Sequence, residues 1–180
     1  MKSAVEQLST YKSVHLNPDN IKTHFIGIPM IIWSLFLFLN LIPINFMTFE
    51  STNLVINVAT VFALGVLVYY FRLHVRLALG LALFILPVLY TSLLVSHIDG
   101  ALWVALAVFF VGWVFQLIGH KYEKAKPAFV DDMNQLLIGP FFLMAEVYFL
   151  CGWEKGLNRE ITPIAVTKRR ALEANRRAAT

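Results

Sequence analysis

The sequence contains little cysteine and little charge. Cys151 is the one cysteine among 180 residues, which excludes an intrachain disulfide framework and a zinc site built from several cysteines. Charged residues make up 14% of the chain and hydrophobic residues 58%, whereas a typical soluble domain has about 25% charged residues. This composition excludes a soluble, disordered or fibrous protein. It also speaks against a nucleic-acid-binding domain, despite the net charge of +4.

Several familiar sequence signals are also missing. The first 24 residues are polar and contain no apolar segment of the kind found in a secretory signal peptide. No phosphate-binding loop, Gly-x-Ser-x-Gly elbow or Cys-x-x-Cys site occurs in the chain. Any chemistry must therefore come from other polar residues.

Long uncharged blocks dominate what is present. A membrane-spanning helix needs about 20 mostly apolar residues, and four blocks have about that length: 25–47, 53–71, 77–96 and 101–119. A fifth block, 136–153, contains Gly139-Pro140 near its start and Glu146 near its middle, which indicates a broken element. We therefore predict an all-α, polytopic membrane helix bundle with four spans and a re-entrant or interfacial fifth hydrophobic element.

The positions of Lys and Arg predict the orientation in the membrane. Basic residues are enriched in cytoplasmic loops. Four spans with a cytoplasmic N-terminus, followed by a fifth element that does not cross, put all 15 Lys and Arg residues on one side. We expect an integral multi-pass protein of a bacterial inner membrane or, in a eukaryote, of the endoplasmic reticulum, with both termini cytoplasmic.

This topology gathers four of the five histidines at the cytoplasmic face: His15, His24, His74 and His120. His97 lies at the opposite face and is best interpreted as an ordinary interfacial residue. An Asn-Pro pair at 17–18 is a turn signal, so it can fold His15 back toward His24. Asn20 is expected to cap a helix that begins near residue 21.

His120 and Glu123 are three residues apart, which places them on one face of a helix. Such a pair can ligate a metal together, or the carboxylate can orient the imidazole. Glu123 can equally pair with Lys124 or Lys126 on the surface, and Pro127 is expected to end the helix. These spacings alone are a weak metal signal, and His74 and Glu146 are each compatible with a structural role.

Two polar stretches together resemble a known family. The residues concerned are Tyr11, His15, Asn17, Asn20, His24, Gly27 and Pro29 in the first stretch, and Gln116, Gly119, His120, Glu123, Lys126, Pro127 and Ala128 in the second. They resemble the 2-hydroxy fatty acid dioxygenases, small multi-pass membrane proteins of fungi and bacteria, whose characterised fungal member acts in phytosphingosine breakdown by fatty acid α-oxidation. The resemblance covers the whole chain in hydropathy and the two polar stretches in detail, and the basic tail from Ile161 lies outside the residue pattern.

The resemblance implies an iron(II)-dependent dioxygenase that cleaves the C1–C2 bond of long-chain 2-hydroxy fatty acids, with His15, His24 and His120 as the metal ligands. Three imidazoles, or two with a carboxylate, leave positions on iron(II) for substrate and O2. Glu123, Asn20 and Lys126 are the remaining candidate catalytic residues. Glu123 would ligate the metal or orient a histidine, and Lys22 or Lys126, or an asparagine such as Asn20 or Asn134, would steady the substrate carboxylate.

The expected partners are the 2-hydroxy fatty acid, O2 and the lipid bilayer; no nucleic acid is expected, and the sequence indicates no particular protein partner. Residues 1–160 would form one membrane-embedded catalytic domain, and 161–180 a basic cytoplasmic tail. The alternative is a non-enzymatic lipid-binding or scaffolding membrane protein with incidental histidines. A small transporter is disfavoured, because the four long blocks carry no charge.

Overall fold

The computed structural model describes residues 2–49, 54–126 and 132–178. These residues are predominantly helical, as predicted, and the elements in chain order are α1 (Ala4–Lys12), α2 (Pro18–Asn40), β1 (Asn45–Phe49), β2 (Leu54–Asn57), α3 (Val58–Leu73), α4 (Val75–Ser96), α5 (Ala101–Glu123), α6 (Gln135–Leu150) and α7 (Lys155–Ala178). The antiparallel hairpin of β1 and β2 is an addition to the predicted all-α fold.

Among the described residues, three helices, α2, α4 and α5, are long and apolar enough to cross a membrane. Helices α3 and α6 have 16 residues each. At about 1.5 Å per residue they span roughly 24 Å, less than the roughly 30 Å of a bilayer's hydrocarbon core. Three of the four predicted spans therefore overlap a helix of sufficient length, although the predicted span 25–47 extends beyond α2 into β1.

The predicted second span is shorter than expected because its first part is a strand. Residue 53 lies outside the described residues, and Leu54–Asn57 form β2, where β-branched Val55 and Ile56 favour an extended backbone. The Asn57 side chain then accepts a hydrogen bond from Thr60 N at 3.1 Å and caps α3. The helix consequently begins only at Val58.

One compact unit comprises Ile26–Phe115. In it α3 packs along α4, and His74 between them accepts a hydrogen bond from Leu77 N at 3.4 Å, which caps α4. Large apolar side chains on α4 are exposed, Leu83 by 76%, as expected for a surface that faces lipid. His74 thus has a structural role in helix capping.

The other unit joins Met1–Phe25 to Gln116–Thr180. Helix α1 packs against both α6 and α7. The buried apolar residues of this unit include Leu8 and Tyr11 from α1, Ile138, Phe141 and Phe142 from α6, and Ile161 and Ala165 from α7. The predicted boundary between 1–160 and 161–180 falls inside α7, which is one continuous helix.

The turn before α2 corrects one detail of the sequence prediction. Helix α2 begins at Pro18 rather than near residue 21, because proline is well suited to the first position of a helix. Asn17 rather than Asn20 supplies the cap, since its Oδ1 accepts a hydrogen bond from Asp19 N at 2.8 Å. This leaves the Asn20 side chain available for other contacts.

Helix α6 corrects the expectation that Gly139-Pro140 breaks the fifth hydrophobic block. The helix runs without interruption, with Pro140 inside it. Pro140 removes one backbone hydrogen bond of the helix, but the buried side chains of Ile138, Phe141 and Phe142 hold α6 in the core. A re-entrant or interfacial position for α6 remains a prediction.

Candidate metal centre

Three histidines of one unit converge. His15 follows α1, His24 lies near the start of α2, and His120 lies in the last turn of α5. The ring centroids of His15 and His24 are 4.6 Å apart, and each lies 5.0 Å from that of His120. One nitrogen of each ring lies within 4.8 Å of the others. This set of donors can hold a metal ion.

Main-chain carbonyls determine which nitrogen carries the proton in two of these rings. His15 Nδ1 lies 2.7 Å from Tyr11 O, and His24 Nδ1 lies 2.9 Å from Asn20 O. A carbonyl oxygen only accepts, so each Nδ1 carries a hydrogen and donates it. In the neutral form of each ring, Nε2 is left with a free lone pair.

The two Nε2 atoms lie 3.1 Å apart. Because both bear lone pairs in the neutral tautomer, they repel each other unless a proton or a metal ion lies between them. Two nitrogens each roughly 2.05 Å from one tetrahedral ion are about 3.3 Å apart. The observed separation therefore fits two imidazole ligands of a single metal ion.

Aromatic packing holds the His15 ring in place. Tyr11 stacks on it with ring centroids 4.0 Å apart and an interplanar angle of 1°, and the Phe142 ring lies 5.7 Å away. Burial, followed by the proximity of His24 and His120, holds the pKa of His15 well below its usual range. His15 is therefore neutral near pH 7, the form in which imidazole binds a metal.

Two buried polar atoms beside the cluster have no partner. Neither His120 Nδ1 nor Asn20 Oδ1 makes a hydrogen bond within the part of the chain that the structure describes. Because buried polar atoms are almost always paired, such atoms indicate a position for an ion, a water or a ligand. His120 Nδ1 can provide the third metal bond, and Asn20 Oδ1 can accept a hydrogen bond from a bound molecule.

Gly119 permits α5 to approach α2 closely at this site. A Cβ at this position would meet Thr23 Oγ1 and Asn20 Oδ1, and would lie 3.0 Å from His24 Nδ1. Any larger residue would displace the groups that hold His24. The glycine before His120 is therefore a geometric requirement of the cluster.

Glu123 lies at the end of α5, and its side chain is 2% exposed. Its Oε2 accepts hydrogen bonds from Asn17 N at 2.8 Å and Asn20 Nδ2 at 3.1 Å, and its Oε1 pairs with Arg169 at 3.0 Å. Across the described residues, its hydrogen bonds go to these groups and not to an imidazole. Since Asn20 O in turn accepts from His24, Glu123 reaches the cluster through Asn20.

Lys126 lies beside the cluster rather than in it. It lines an open pocket of about 330 Å³ together with Val14, Ala125 and Arg169. Pro127 and Ala128 of the same sequence motif lie outside the described residues. Val14, which also lines this pocket, directly precedes His15 in the chain.

The remaining histidine and the carboxyl group in α6 have other surroundings. His97 ends α4 in the Ile26–Phe115 unit. Glu146 forms a largely buried ion pair with Lys12, with Nζ and Oε1 2.6 Å apart. Sequence reasoning did not single out Lys12 or Arg169. Lys12 lies three residues before His15, and Arg169 lies within a run of basic residues, so neither had a distinctive signal.

The fold and this cluster together define a helical protein with membrane-length helices and a buried three-histidine site suited to a metal ion. The family described as "2-hydroxy-palmitic acid dioxygenase Mpo1-like" matches residues 1–151, and the chain belongs to this Mpo1-like family. It is 31% identical over 173 residues to the 2-hydroxy-palmitic acid dioxygenase MPO1 of Saccharomyces cerevisiae, with 94% of each chain covered. No solved structure matches the chain. The family inferred from the two polar stretches is thereby confirmed.

Proposed function

We propose that this protein is an iron(II)-dependent dioxygenase that converts long-chain 2-hydroxy fatty acids to fatty acids one carbon shorter. The observation that carries the proposal is the 3.1 Å contact between the Nε2 atoms of His15 and His24, in a chain of the Mpo1-like family. In this reaction, one 2-hydroxy acid and one O2 are converted to one fatty acid shortened by one carbon, one CO2 and one water. The four-electron oxidation of the substrate matches the four-electron reduction of O2, so no further reductant is needed.

In this proposal His15, His24 and His120 hold the metal. When bound, iron(II) supplies an electron source for O2 and open positions for the carboxylate and hydroxyl of the substrate. Tyr11 and Phe142 cover the His15 ring on its buried side and keep water away from it. The protein's contribution is thus a rigid set of neutral imidazoles in a dry environment.

Asn20 and Lys126 are the residues that we propose for substrate orientation. Asn20 Oδ1 is buried and has no hydrogen-bond partner among the residues described, so it can accept a hydrogen bond from the substrate hydroxyl. Lys126 lines an open pocket and can attract a carboxylate. Glu123 has a supporting role, because its contacts are with Asn17 and Asn20.

The membrane setting suits such a substrate, because a long acyl chain can remain among apolar helices while its polar end reaches the cluster. We propose that both termini are cytoplasmic, with four spans and α6 as a re-entrant or interfacial element, since this arrangement keeps all Lys and Arg on one side. Residues 1–160 then form the catalytic domain, and 161–180 carry the basic charge near the membrane surface.

The test is conversion of defined substrates by the purified full-length protein in lipid nanodiscs. Protein loaded with iron(II) without oxygen is mixed with 2-hydroxy-palmitic acid and air, and the products are identified by mass spectrometry. The proposal requires a C15 fatty acid whose formation stops with a chelator and resumes with iron(II). If no 2-hydroxy acid of any chain length is converted, a lipid-binding or scaffolding role takes the place of the enzymatic one.

A further inference from the structure

Two arginines of α7 bond to the end of α5, the helix that carries His120. Arg169 Nη1 donates to Glu123 Oε1 at 3.0 Å, and Arg169 Nη2 donates to Glu123 O at 2.9 Å. Arg176 Nη1 donates to Lys124 O at 2.8 Å. The last carbonyls of a helix have no partner within it, and cationic side chains stabilise them. Helix α7 therefore supplies the partners that the end of α5 lacks.

Through Glu123, Arg169 also reaches the segments that carry the other two histidines. Glu123 Oε2 accepts from Asn17 N, two residues after His15, and from Asn20 Nδ2. Asn20 O accepts from His24 Nδ1. One carboxylate, paired with one guanidinium, thus links the turn before α2, the start of α2 and the end of α5.

This ion pair is shielded from solvent, so its loss should have consequences. The side chain of Arg169 is 17% exposed and that of Glu123 is 2% exposed. Removal of one partner from such a pair leaves an uncompensated charge in a poorly solvated position. An isolated surface pair, by contrast, contributes little.

The guanidinium is held in position because α7 is docked on α1. Ile161 and Ala165 are fully buried. The neighbouring Lys168 donates to Ser9 Oγ at 3.0 Å and Thr10 Oγ1 at 2.7 Å. The part of α7 that precedes Arg169 is therefore anchored, and Arg169 Nε also donates to Glu173 Oε1 at 2.6 Å.

We propose that Arg169 is a positioning residue for the three-histidine cluster: through Glu123 it holds the 14–20 turn and the end of α5 in the arrangement in which the imidazoles converge. Helix α7 begins at Lys155, beyond the residues 1–151 that the family match covers. The part of this proposal that concerns metal affinity rests on the proposed function; the part that concerns order in the turn does not.

The first test measures order in metal-free protein. Full-length wild type, Arg169→Gln and Arg170→Gln are compared in nanodiscs by hydrogen–deuterium exchange. Arg170 is the matched control, because it is the next residue of α7, is exposed, and loses the same charge. Hydrogen bonds to charged groups contribute about 1.5–3 kcal/mol, so exchange in segments 14–24 and 119–125 should be roughly tenfold faster or more in Arg169→Gln alone. Equal exchange in the two variants overturns the proposal.

The second test measures affinity for Co²⁺, used as a spectroscopic probe of the imidazole site. Arg169→Gln should bind it roughly 10–100-fold more weakly, as expected for a group that supports ligands without touching the metal. Arg169→Lys should recover part of this loss, because it keeps the charge but cannot make both bonds to Glu123. It also keeps the proposal testable if Arg169→Gln does not fold.

A double-mutant cycle with Glu123→Ala separates positioning from general stability. If Arg169 acts through the Glu123 side chain, the double variant loses less affinity for Co²⁺ than the sum of the two single losses. If the losses of Co²⁺ affinity in the two single variants add up fully in the double variant, Arg169 does not act through Glu123. If wild type binds no metal while exchange in the turn still depends on Arg169, the proposed function fails and the positioning role stands.

Discussion

His15 and His24 face each other through Nε2 atoms 3.1 Å apart, while each ring donates its Nδ1 hydrogen to a carbonyl four residues earlier in the chain. The backbone thus directs two lone pairs toward a single point. A metal ion or a shared proton between the two rings would relieve the repulsion of these lone pairs. His120 Nδ1, buried and without a hydrogen-bond partner in the described ranges, completes the set.

Replacement of any one of these histidines by alanine should abolish conversion of a long-chain 2-hydroxy acid. Each imidazole supplies one of few protein bonds to the metal, so the loss should exceed the roughly 10–100-fold typical of supporting residues. His97→Ala is the control and should be near wild type, because His97 is not part of the cluster. Equal activity in all the alanine variants would show that the histidines have no part in the reaction. Product formation under iron(II) and air is the measurement.

Glu123→Gln should lower metal affinity by about 10–100-fold without abolishing binding. Both carboxylate oxygens accept hydrogen bonds, from Asn17, Asn20 and Arg169, and the NH2 group of glutamine cannot accept any of them. Titration with Co²⁺ measures the change. Complete loss of binding would instead indicate that Glu123 is itself a ligand.

Gly119→Ala should destabilise the protein by about 1–3 kcal/mol, the usual cost of overpacking, and should weaken metal binding. The new methyl group would collide with Thr23 and Asn20, and crowd His24. Gly65→Ala in α3 is the matched control, because a Cβ there meets nothing within 4 Å. It should be neutral or slightly stabilising. Thermal unfolding in nanodiscs compares the two, and similar melting temperatures would contradict the close approach of α5 and α2 at Gly119.

Lys12→Met should destabilise the protein by about 3–5 kcal/mol, because it leaves Glu146 without its partner in a largely buried position. The double variant Lys12→Met with Glu146→Leu should recover much of that stability. Lys2→Ala, at an exposed ion pair with Asp132, serves as the control and should change little. A single variant no less stable than the double one would show that the Lys12–Glu146 pair contributes nothing.

Reporter fusions at the C-terminus and near Asp99 test the predicted topology. A fusion after Thr180, which lies outside the described residues, should be active in the cytoplasm, and one near Asp99 should be active on the opposite side of the membrane. The physical reason is the asymmetric distribution of Lys and Arg. A C-terminal fusion active only outside the cytoplasm would mean that α6 crosses the membrane.

The family resemblance of the two polar stretches, and not the spacing of the histidines, implied His15, His24 and His120 as one ligand set; the Asn-Pro turn indicated only that His15 can fold back toward His24. The ion pairs that support the cluster had no such signal, since Lys12 and Glu146 are separated by 134 positions and Glu123 and Arg169 by 46. Tertiary packing alone brings them together. For the same reason the apolar run 53–71 could not reveal that its first part pairs as a strand with β1.

The most direct test of the central claim is the iron content of purified full-length protein, measured together with its activity. Wild type reconstituted with iron(II) should hold about one iron per chain, and the variant His15→Ala with His24→Ala should hold almost none and form no shortened fatty acid. Well-folded wild type that converts 2-hydroxy acids without any bound metal would contradict the account, as would a double variant that keeps its iron.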